Sequence, residues 1–154
     1  MKPIQYWLDE YGESHQNETN ELIHWICVPA IFFSLIAMFF SIKLPLVVGG
    51  FQLNMAVVVL VMVLIYYFRL SLSLGIGMLF FGLICLAGCY LMEKYIPFPL
   101  WAIAIIIFIL AWIGQFYGHN IEGKKPSFLK DIQFLLIGPA WLMSFVYKKL
   151  GIGI

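Results

Sequence analysis

Apolar residues fill the interior of this chain in long runs, and polar residues mark where each run begins and ends. Residues 1–21 are polar and acidic, with Asp9, Glu10, Glu13, Glu18 and Glu21 against Lys2 alone. Pro3 suits a first helical turn, and Tyr6, Trp7 and Tyr11 suit a short interfacial helix that Gly12 ends. Asn17 and Thr19 are candidate caps for a first membrane helix over about 20–41, with Pro29 expected to kink it. A connection is expected around Ser41–Pro45. A second span lies within 46–68, softened early by Gly49, Gly50, Gln52 and Asn54 and ended by Arg69. A third covers about 71–92, where Ser71, Ser73, Gly75 and Gly77 let helices approach closely. Glu93–Pro99 is a turn, and a fourth span runs over about 100–119. The last segment, 127–150, is apolar but carries Lys130, Asp131 and Gly138-Pro139, and reads as a broken, re-entrant or interfacial helix pair. The pattern predicts an all-α fold, a polytopic membrane helical bundle of about four transmembrane helices. An N-terminal interfacial helix and a C-terminal re-entrant or interfacial segment complete one membrane-embedded domain over 1–154.

Composition agrees: 63% of the 154 residues are hydrophobic and 11% charged, more apolar surface than a soluble domain of this size can bury. The net charge of +1 argues against nucleic acid as a partner. No basic region precedes an apolar one at the N-terminus, so no cleavable signal is expected. With four spans and a tail that does not cross, Lys2, Arg69, Lys124, Lys125, Lys130, Lys148 and Lys149 share one side, and Lys43 and Lys94 the other. The positive-inside rule then puts both termini in the cytoplasm, at a bacterial inner membrane or at the endoplasmic reticulum of a eukaryote.

That orientation gathers His15, His24 and His119 on one side. Gln115, His119 and Glu122 fall within an arc of roughly 60° on one helix face. His15 and His24 are nine residues apart, on opposite faces of a straight helix, so a shared ligand requires a break in the polar Gln16–Thr19 stretch. Asn20 and His24 share a face. Three imidazoles beside amides and a carboxylate suggest a site for iron, zinc or copper, with Glu122, Asn20 and Gln115 as candidates to orient the ligands. The same residues also suit polar caps at helix ends, and the spacing alone leaves both readings open. Cys27 reads as packing rather than a fourth ligand, and Cys85 and Cys89 likewise. Lys124 and Lys125 signal topology or attract an anionic head group. There is no HExxH motif, no nucleophile elbow, and too few histidines for a multi-box di-iron desaturase.

The pattern Tyr11-x3-His15-x4-Asn20-x3-His24-x4-Pro29, followed by Gln115-x3-His119-x2-Glu122-x3-Pro126, resembles the Mpo-type family of membrane 2-hydroxy fatty acid dioxygenases. The resemblance spans nearly the whole chain, with its information in those two blocks. It implies an Fe(II)-dependent α-oxidation in which a 2-hydroxy fatty acid and O2 give the acid shortened by one carbon, beside membrane lipid. It implies His15, His24 and His119 as metal ligands, Glu122, Asn20 and Gln115 as catalytic or orienting residues, and Lys125 and Tyr11 near the substrate. Two other classes stand beside it. A non-enzymatic transport or assembly protein would hold no stoichiometric metal, and a zinc-dependent membrane hydrolase would work without oxygen.

Overall fold

The computed structural model describes residues 3–123 and 128–154, with side chains left aside at 51 and 128–134. Six helices and one hairpin follow in order: α1 (Ile4–Gly12), α2 (Glu18–Phe40), β1 (Lys43–Val48), β2 (Phe51–Asn54), α3 (Met55–Leu70), α4 (Leu72–Tyr95), α5 (Leu100–Glu122) and α6 (Phe128–Leu150). Of the described helices, α2, α4 and α5 are long and apolar enough to cross a membrane. Their outward faces carry large apolar residues such as Ile84, Ile109, Leu110 and Ile113, an arrangement that suits lipid rather than water.

The chain breaks between His15 and His24, as the polar stretch requires. α1 ends at Gly12, and Asn17 restarts the helix by accepting the main-chain N–H groups of Thr19 and Asn20 on its side chain. α2 runs through Pro29 without interruption. It is the central helix, packed along α5 and touching α3, α4 and α6. The close approach to α5 depends on Gly114 and Gly118. A Cβ on Gly114 would stand 2.6 Å from Cys27 Sγ, and one on Gly118 would overlap Asn20 Oδ1. Small residues four apart are the usual device for drawing membrane helices together.

Two expectations need correction. The second span does not begin in the forties: residues 43–54 form an antiparallel hairpin with Val48 opposite Phe51. Gly49 and Gly50 both take positive φ, 58° and 83°, the conformation a two-residue hairpin turn requires and glycine supplies. The helix begins only at Met55, capped by Asn54 accepting from the Val57 N–H. Its 16 residues rise about 24 Å, short of a typical hydrocarbon core of about 30 Å. The hairpin sits at the far end of the bundle from the histidines, where Lys43 meets Glu93 at 2.8 Å.

The tail is the second correction, since it forms one continuous helix rather than a broken pair. Proline at 139 removes one helical donor, and hydrogen bonds between the helix and the rest of the bundle hold it in place. Tyr67, wholly buried, donates its hydroxyl to the Leu136 carbonyl at 2.6 Å, and Tyr147 donates to the Ser73 carbonyl. α6 therefore crosses the bundle obliquely. Leu135 packs against the cluster of Cys27, Ile31 and Ala111, Gly138 lies against Val28 and Tyr11, and Tyr147 reaches Gly77 near the start of α4. The path covers the end of the bundle that holds the histidines.

Candidate metal centre

Three separate pieces of chain supply the three imidazoles. His15 stands in the turn after α1, His24 on the second turn of α2, and His119 on the last turn of α5. Ring centroids lie 4.2 Å apart for His15 and His24, 4.8 Å for His24 and His119, and 5.1 Å for His15 and His119. One potential ligand atom from each falls within 4.8 Å of the others.

Hydrogen bonds decide which nitrogens are free. His15 Nδ1 lies 2.7 Å from the Tyr11 carbonyl, and His24 Nδ1 lies 2.9 Å from the Asn20 carbonyl. A carbonyl only accepts, so both Nδ1 atoms carry the proton and both Nε2 atoms carry lone pairs. Those Nε2 atoms are buried and without a partner, as is Nδ1 of His119. Unpartnered nitrogens on three rings that offer ligand atoms this close together fit a metal ion, and the bonded Nδ1–H groups of His15 and His24 are the usual means of fixing such rings. Burial first, and the neighbouring His24 second, push the His15 imidazole down to about 3, so it is neutral and able to ligate at ordinary pH.

Tyr11 stacks on His15, with ring centroids 4.2 Å apart and planes within 8°. Trp141 of α6 closes over both rings at 5.3 Å. A cavity of about 40 Å³ opens beside the rings. Tyr11, Ser14, His15, Trp112, Gln115 and His119 bring polar atoms to its lining, and Val28, Ile31, Phe116 and Leu135 form its apolar walls. Residues 1–150 match the sequence profile of the family described as 2-hydroxy-palmitic acid dioxygenase Mpo1-like. The chain belongs to this Mpo1-like family. It is similar to the 2-hydroxy-palmitic acid dioxygenase MPO1 of Saccharomyces cerevisiae, with 30% identity over 143 residues, 92% of this chain and 78% of the yeast protein. No solved structure matches the chain.

Within this Mpo1-like chain the expected site residues are brought together unequally. The three histidines converge. Gln115 is buried beside His24. Asn20 supports His24 through its main-chain carbonyl, while its side-chain amide donates to the Ser14 carbonyl at 3.3 Å and to Glu122 at 3.2 Å. Glu122 faces main chain in place of the rings, accepting the N–H groups of Gln16 at 3.0 Å and Asn17 at 2.9 Å. It ties the end of α5 to the turn that carries His15. Cys27 packs with Ile31 and Ala111 outside the histidine group. Lys124 and Lys125 lie outside the described residues, as do the side chains of Lys130 and Asp131.

Several contributors were not singled out in the sequence. The Gly114-x3-Gly118 spacing was a readable signal for close helix approach. Ser14 and Trp141 carried none, since each acquires its place through a turn or a distant helix.

Proposed function

We propose that His15, His24 and His119 hold Fe(II), and that the protein uses O2 to convert a 2-hydroxy fatty acid to the acid one carbon shorter. The observation that carries this reading is the gathering of three histidines with unpartnered buried ring nitrogens, two of which, His15 and His119, line a cavity with apolar walls. The yeast relative is named for the same substrate class and reaction type, which supports it.

The reaction balances without a further reductant. R–CH(OH)–COOH and O2 give R–COOH, CO2 and H2O, with four electrons passing from the hydroxy acid to oxygen. Fe(II), when bound, supplies the one-electron chemistry that lets O2 react with a closed-shell acid, and positions for a hydroxyl-carboxylate chelate. The rest is the work of the chain. The carbonyls of Tyr11 and Asn20 hold two rings in a single tautomer and orientation. Glu122 fixes the turn bearing His15, and the Gln115 amide stands beside His24 to orient a ligand. Trp141 and the apolar walls exclude water from the reacting groups. We assign attraction of the substrate carboxylate to Lys125, and contact with the substrate head group to Tyr11. The site opens at the cytoplasmic edge of the membrane, where an amphiphile keeps its tail among lipid.

Metal content of detergent-purified protein, wild type beside His119→Ala, tests the reading together with aerobic and anaerobic turnover of 2-hydroxypalmitate. About one iron per chain, lost in the variant, with product formed only in air, is the expected result. Absence of metal after anaerobic Fe(II) loading would overturn it in favour of a non-enzymatic protein. Turnover without oxygen, with zinc bound, would overturn it in favour of a hydrolase.

A further inference from the structure

We propose that the apolar part of the cavity beside the histidines is a binding pocket for O2, separate from the place of the fatty acid; this rests on the dioxygenase reading above. Size is the first argument. A cavity of about 150 Å³ holds benzene, and this one measures about 40 Å³. It has room for a diatomic molecule and not for an acyl chain.

Wall chemistry is the second. Val28 and Ile31 of α2, Phe116 of α5 and Leu135 of α6 offer carbon surface, and Val28 and Ile31 are almost wholly buried. Cavities lined in this way favour small apolar molecules over water, which needs two or more polar partners to stay. The polar atoms of the cavity come from Tyr11, Ser14, His15, Trp112, Gln115 and His119, two of them histidines of the metal group, so an apolar guest among the carbon side chains remains next to the imidazoles.

Position is the third. Phe116 belongs both to the cavity wall and to the outer face of α5, where it is 55% exposed beside Ile113 and Tyr117. Oxygen is apolar and concentrates in hydrocarbon. A pocket that meets the bilayer through one aromatic side chain takes its gas from the lipid, while the charged head of the fatty acid approaches from the cytoplasmic edge. Ile31 is the residue best placed to control the pocket, because it is buried and shares the cavity with Leu135 across the α2–α6 contact.

Xenon tests this on the wild-type, iron-loaded, full-length protein in detergent. Oxygen consumption with 2-hydroxypalmitate is followed at several O2 concentrations with and without xenon, beside 129Xe chemical-shift titration of the same sample. Xenon is expected to raise KM for O2 and leave KM for 2-hydroxypalmitate unchanged. Ile31→Phe is expected to raise KM for O2 severalfold, keep its iron, and lose the xenon shift. Xenon that fails to compete, as when ordered water fills the cavity, overturns the pocket while leaving the dioxygenase reading intact. Competition unaltered in a folded Ile31→Phe protein also overturns it, by placing the gas elsewhere. If that variant does not fold, the wild-type xenon result decides alone. A wild-type protein that binds iron yet consumes no O2 removes the function, and the pocket with it.

Discussion

The Glu122 carboxylate accepts the main-chain N–H of Asn17 at 2.9 Å, joining the last turn of α5 to the cap of α2. One more bond from Gln16 and one from Asn20 complete the clamp. The turn between α1 and α2, which carries His15, is thus held by a residue at the far end of the sequence.

Glu122→Ala should therefore lower metal affinity without removing a ligand. Residues that support a ligand in this way typically account for about 10–100-fold in affinity. Glu122→Gln keeps one acceptor oxygen and should fall between Ala and wild type. Competition titration against a metal chelator measures it. An affinity equal to wild type in Glu122→Ala would show that the turn needs no clamp.

Gly118→Ala should damage both packing and metal binding. The added methyl overlaps Asn20 Oδ1, so α5 has to move away from α2 and take His119 with it. Overpacking of this kind costs about 1–3 kcal/mol, visible as a lower melting temperature in detergent together with lost metal. Gly123→Ala, at a position with open space but positive φ, should cost stability through the α5 cap and leave the α2–α5 contact alone.

Acid should destabilise the metal-free protein through His15. In the unfolded chain its imidazole titrates near 6.5, and burial with His24 beside it holds the folded value to about 3. Between those limits the unfolded chain binds a proton that the fold does not. Stability therefore falls as pH drops below about 6.5 and is insensitive to this group above it. Melting temperature of apo protein from pH 8 to 5 reads the effect, and His15→Asn should flatten the slope. An equal slope in the variant would assign the dependence to other groups.

Tyr67→Phe should loosen the tail helix over the site. The buried hydroxyl donates to the Leu136 carbonyl, and loss of one such hydrogen bond costs about 0.5–1.5 kcal/mol. Protection of α6 amides from hydrogen exchange should drop more than that of α2. A uniform change across both helices would mean that α6 does not open by itself.

Hydrophobic patterning was enough to read a helical membrane bundle from this chain, because each long apolar run must bury its own backbone hydrogen bonds in lipid. The break between His15 and His24 was also legible, since the residues between them are polar and include the cap Asn17. The hairpin was less so: residues 46–54 are apolar enough to pass as the start of a span, and the paired positive φ of Gly49 and Gly50 is a property of the folded turn. In the tail, Lys130, Asp131 and Gly138-Pro139 predict a broken, re-entrant or interfacial helix pair, since proline breaks isolated helices. Hydrogen bonds from Tyr67 to Leu136 and from Tyr147 of the tail itself to Ser73, each joining residues more than sixty apart, support one continuous helix.

The candidate site divides in the same way. Sequence by itself selected the three imidazoles and placed them at one end of the bundle, because residue type and span parity are local properties. Only the tertiary structure decided that Glu122 binds main chain, that Trp141 covers His15, and that Val28, Ile31, Phe116 and Leu135 enclose a cavity beside the rings. Each of those facts depends on how α5 and α6 lie against α2, and helix crossings are set by side-chain packing over distances that no local pattern encodes.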